Sequence, residues 1–83
     1  MKHENLAMSK ALVDDCIALK RADIAEGQRA QRERDAYMLA IRKTERPYQD
    51  AVLVSDLLEA MLDSDNHMLK KMLDIRAKLE ELE

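Results

Sequence analysis

Apolar residues over 51–83 return on a seven-residue cycle. Val54, Met61, Met68, Ile75 and Leu82 form one series, and Leu58, Asp65, Met72 and Leu79 form a second, offset by four. Alternating steps of three and four are the signature of a coiled-coil seam, with the second series at the a positions and the first at d. Only Asp65 interrupts it. The spacing predicts one long helix that needs a partner. Leu57, Leu62, Leu69 and Leu73 flank this seam, so helix two carries more apolar surface than a single neighbour covers. Such a surplus marks an interface. Two hairpins packed as a four-helix bundle would bury it, as would a groove receiving a foreign helix.

The first half reads as a broader amphipathic stripe. Asn5 or Ser9 is placed to cap a helix whose inward residues are Leu6, Val13, Cys16, Ile17 and Ile24, widened by Leu12 and Leu19. Residues 26–35 are almost wholly polar. Gly27 could open a loop there, but Gln, Arg, Glu and Ala are good helix formers and one Gly costs only about 1 kcal/mol, so the helix is expected to continue. Thr44-Glu45-Arg46-Pro47 is the sharp boundary, because Pro disfavours helix in the residue before it yet suits the first turn of a new one. Ser64-Asp65-Asn66 is a second candidate break, but the heptad phase passes through it unshifted.

These signals predict an all-α fold, an antiparallel helical hairpin forming a single domain over 1–83. Helix one runs near 5–45, the turn occupies 44–47 and helix two runs near 47–82. Folding about Arg46 sets Gly27 opposite Asp65 and Glu26 opposite Asn66.

Composition supports this picture and adds the need for a partner. The 83 residues hold two Tyr, no Trp or Phe, one Gly and one Pro, which leaves little punctuation for a β-rich fold. Cys16 is the only cysteine, so no intrachain disulfide can form, and its expected role is a small apolar residue on a helix face. A two-helix core is small, and oligomerisation, here a homodimer, is the usual remedy. Residues 1–47 carry ten Lys/Arg against eight Asp/Glu, and residues 48–83 carry four against nine. The halves therefore attract one another. No apolar run suits a membrane span, and the first residues lack the apolar core of a leader, so a cytoplasmic location is expected.

No catalytic pattern stands out. The chain has no glycine-rich phosphate loop and no nucleophile elbow. Asp14 and Asp15 are adjacent and point to different places on a helix, as expected of a solvated face. Asp63-x-Asp65-x-His67 superficially matches the opening of a calcium loop, but Met68 stands where the sharp turn needs Gly and Asp74 stands at the twelfth position. His3 and His67 have no companion at metal-ligand spacing. The expectation is no enzyme, no cofactor and no metal. Asp65 reads either as a cap or hydrated layer, or as a register device pairing with Arg29 or Arg32.

Two functional classes follow. The first is a small non-enzymatic interaction protein (an adaptor, inhibitor or assembly and regulatory factor) that binds a protein partner through Leu57, Leu58, Met61, Leu62, Leu69, Met72 and Leu73. The second is a nucleic-acid-binding dimer that sets Arg29, Arg32 and Arg42 on phosphates. The net charge of −3 weighs against the second. In size and hairpin layout the chain resembles small plasmid RNA-binding hairpins and phage- or plasmid-encoded regulators. That resemblance is one of architecture, with no matched motif.

Overall fold

Nearly the whole chain is consumed by α1 (Lys2–Leu39) and α2 (Arg46–Glu81). The computed structural model describes the backbone of residues 2–82 and the side chains of residues 5–82; the His3 side chain lies outside the described residues. Among these no strand occurs, and the two helices form an antiparallel hairpin measuring 64 × 14 × 13 Å.

α1 passes through Gly27 and α2 through Ser64-Asp65-Asn66 without a break. In both places straight-chain neighbours and the packing of one helix on the other outweigh local turn preference. The expected start of α1 at Asn5 or Ser9 is wrong, because the helix already covers Lys2. Its end is also earlier than expected. A helix reaching Arg46 would leave no residues to reverse the chain before Pro47, and residues 40–45 make that reversal instead. The Arg42 carbonyl accepts from the Glu45 N–H at 3.0 Å within the turn. Glu45 then takes an extended conformation (φ −81°, ψ 146°), and its carbonyl accepts from the Tyr48 and Gln49 N–H groups as α2 begins with Pro47 in its first turn.

The earlier turn shifts the pairing between helices. Gly27 lies against Leu62 rather than Asp65, with the Leu62 Cδ2 only 2.7 Å from where a Gly27 Cβ would stand. Asp65 accepts from the Lys20 Nζ at 3.2 Å, not from Arg29 or Arg32.

The seam itself is rotated by one column. On α2 the residues turned towards α1 are Ala51, Ser55, Leu58, Leu62, Asp65, Leu69, Met72, Arg76 and Leu79, all buried or half-buried. Leu58 and its series keep their inward place, but their companions are Leu62 and Leu69 rather than Met61 and Met68. Both alternations obey the heptad, because α2 has three apolar columns and any adjacent two make a seam. The partner helix chooses between them. Gly27 admits the Leu62 side chain, and Lys20 meets Asp65.

The facing seam of α1 has the same three-four rhythm, with Leu6, Val13, Ile17 and Ile24 in its apolar half. Nearer the turn it becomes Gly27, Gln31, Arg34 and Met38. Lys10 is buried there while its ammonium reaches Glu80 at 3.6 Å, an aliphatic stem under a charged tip. Cys16, Leu12 and Leu19, expected inward, are exposed. Among the described residues four hydrophobic side chains are buried (Ile17, Ile24, Ala51 and Leu62), and none of these is completely enclosed. The core is a thin line between two rods.

Candidate protein-docking face

The rotation of the seam decides which apolar residues remain open. Met61, Met68 and Ile75 lie one residue before seam positions, hence roughly 100° around the helix at one end of the seam pair. They are 53%, 43% and 41% exposed. Val54 and Leu82 continue the column towards either end and are exposed as well. Leu57 sits beside it, further out.

α1 contributes to the same side. A groove between the helices is lined by Asp23, Glu26, Ala30 and Glu33 from α1 and by Leu58, Met61 and Leu62 from α2. A second stretch nearer the turn adds Tyr37, Asp50 and Val54. Cys16 lies seven residues before Asp23 and thus occupies the same column of α1, with Leu12 and Leu19 just outside it. On α1 the far half of this face is therefore more apolar than the half near the turn.

The reverse side of the hairpin is chemically different. There the Arg76 guanidinium donates to Asp14 at 2.7 Å and to Glu80 at 2.5 Å. The hydrogen bond to Asp14, followed by that to Glu80, holds the Arg76 pKa above its ordinary value. The hydrogen bond from Arg76, helped by the Lys10 charge, holds the Glu80 carboxyl below its own. Glu59, Asn66 and Arg21 are exposed and polar. Leu73 is also exposed, at 41%, but it shares the Glu59, Asn66 and Glu80 column by seven-residue spacing and so lies on this charged side.

The seven residues expected at an interface consequently separate into three groups. Leu58, Leu62, Leu69 and Met72 join the two helices of the hairpin. Leu57 and Met61 stand on the open face, and Leu73 stands on the reverse. Sequence reasoning missed Val54, Met68 and Ile75 as surface residues because it had assigned them to the seam. The residues that gave this away were on α1: Gly27 and Lys20, whose partners on α2 fix its rotation.

Within the seam, the Lys20 ammonium is held by Asp65 at 3.2 Å and Asp23 at 3.5 Å. The hydrogen bond to Asp65 raises the Lys20 pKa from its ordinary 10.5, against the opposing effect of desolvation. Arg34 donates to the Ser55 hydroxyl at 2.5 Å and to its neighbour Asp35, which takes it out of any free basic strip. Arg29, Arg32 and Arg42 are exposed. Arg42 lies in the turn, ten residues beyond Arg32, so the three do not converge on one spot.

Among the described residues no group of three or more His, Cys, Asp or Glu side chains is arranged to hold a metal ion, and no helix is long and apolar enough to cross a membrane. No protein-family model, curated protein or solved structure matches the chain.

Proposed function

We propose that the chain is a non-enzymatic protein–protein interaction module that docks its partner on the face carrying Val54, Leu57, Met61, Met68 and Ile75. One observation supports this reading above the others. Apolar side chains line one side of the hairpin along the length of α2 and stay exposed, while the reverse side sets the exposed Val52 and Leu73 among polar residues and the Arg76 ion pairs with Asp14 and Glu80. Surface hydrophobics scattered singly need no explanation, but a continuous stripe on a thin, poorly buried scaffold does. Covering it takes a further layer of helix, giving a bundle of four helices packed at a shallow angle. An adaptor, an inhibitor and an assembly factor would all use such a surface.

The test compares the tagged wild-type chain with a Met61→Asp/Met68→Asp variant in capture from host lysate, with and without nuclease. Both residues are exposed and lie outside the seam, so helicity by circular dichroism should survive the change. The expected result is a protein retained by the wild type after nuclease and lost by the variant. An identical binding profile for the two chains would refute the reading. Retention abolished by nuclease would transfer the function to Arg29, Arg32 and Arg42.

A further inference from the structure

The open face is not uniform in charge, and its pattern selects an occupant. In the half near the turn its edges carry Asp23, Glu26, Arg29 and Glu33 on α1 and Asp50 on α2, a net acidic set. In the far half the corresponding edge of α2 carries Lys71 and Lys78. Asp50, Leu57, Ser64, Lys71 and Lys78 recur every seven residues and form one column beside Met61 and Met68. The face is thus an apolar strip with an acidic end and a basic end.

We infer that this face is covered by a second copy of the chain, packed with its turn at the opposite end of the bundle. The inference rests on the docking role proposed above and names the partner. The midpoint of α2 (Arg46–Glu81) falls next to Ser64. An antiparallel second α2 related by a two-fold axis at Ser64 sets Asp50 of one copy level with Lys78 of the other, and Leu57 level with Lys71. Two such Asp–Lys pairs form, one on each side of the axis. The alternative dimer, with both turns at one end, gathers the acidic ends of both copies into one half of the bundle and all four lysines into the other. It makes neither Asp–Lys pair. Charge pattern decides register and orientation in such bundles more than it adds affinity.

Area points to one more copy as well. The isolated hairpin exposes 6639 Å², whereas a compact monomer of 9.6 kDa exposes about 5,100 Å². The surplus of roughly 1,500 Å² exceeds the ~800 Å² per partner of a standard stable interface. A copy of equal length covers the face from end to end.

Two measurements test the inference on the full chain. Sedimentation equilibrium should give a dimer. Spin labels at Arg42→Cys in a Cys16→Ser background should lie about 60 Å apart across that dimer, from a rise of ~1.5 Å per residue to either side of the axis. A separation under about 25 Å would overturn the inference, since both turns would then share one end. A monomer at high micromolar concentration would overturn it too. In that event a foreign protein captured by the wild type and lost by Met61→Asp/Met68→Asp would leave the docking role standing, and no difference between them would remove both. The charge pattern has its own readout: Lys78→Asp should weaken the dimer about tenfold, and adding Asp50→Lys to that chain should restore it. Failure of the swap to restore affinity counts against the opposite-end arrangement.

Discussion

Gly27 is where one missing methyl group sets the distance between two helices. Its φ is not positive, so the glycine is required by the close approach of Leu62 and not by its backbone. A Cβ would meet the Leu62 Cδ2 at 2.7 Å and Cγ at 3.2 Å, forcing Leu62 out of the seam. Overpacking of this kind costs about 1–3 kcal/mol, against about 1 kcal/mol gained in helix propensity. Gly27→Ala should therefore destabilise the hairpin by roughly 1 kcal/mol in urea unfolding. In a Leu62→Ala background, itself lower by about 2–3 kcal/mol, the same change should be stabilising. Equal effects of Gly27→Ala in both backgrounds would show that the contact does not hold the helices at this spacing. A second pair of residue-level expectations concerns pH. Lys20 has a raised folded pKa, so the stability it contributes is complete below 10.5 and lost as pH climbs through the folded value. Glu80 has a lowered one, so its contribution is present above 4.5 and lost as pH falls through the folded value. Glu80→Gln should lower the thermal midpoint at pH 7 and converge on the wild type in strong acid. Lys20→Arg should flatten the alkaline loss seen above 10.5.

The two helices show how far local pattern reaches. The heptad of α2, the continuity of both helices and the position of Pro47 in the first turn of α2 could all be read from the sequence, because each depends on spacing and backbone chemistry within one segment. The rotation of α2 could not, since Leu58 forms an acceptable seam with Met61 on one side or Leu62 on the other. Its choice depends on residues some 35 to 45 positions away, Gly27 and Lys20. The open face inherited that ambiguity: the heptad put Val54, Met61, Met68 and Ile75 together in the seam, with Met61 and Leu57 also named as interface candidates, and the structure leaves all of them exposed. If Lys20 and Asp65 fix this rotation, the pair should behave as a unit. Removing one partner leaves the other charge half-buried and alone, whereas replacing both with apolar side chains is often neutral or better. Asp65→Leu alone should lower the thermal midpoint, and Lys20→Met/Asp65→Leu should recover most of the loss. Additive losses in the double variant would mean that the pair is incidental to the packing.

At the scale of the molecule, shape and stability are linked. A radius of gyration of 18.7 Å compares with about 12 Å for a compact chain of this length, and a structure so drawn out buries little of its apolar surface. Two rods with four buried hydrophobics have little to set against the entropy of ordering 80 or so residues, at roughly 1–2 kcal/mol each. In the proposed dimer, association supplies much of what the hairpin lacks, which makes stability dependent on concentration. The thermal midpoint of the wild type should rise as its concentration is raised from micromolar to hundreds of micromolar. Met61→Asp/Met68→Asp, which disturbs the open face without entering the seam, should melt lower and at a temperature insensitive to concentration. The contrast separates the two layers of the structure. A wild-type midpoint that does not move with concentration would mean that the Leu58–Leu62 seam alone holds the fold, and the apolar face would then have to be explained by a foreign partner.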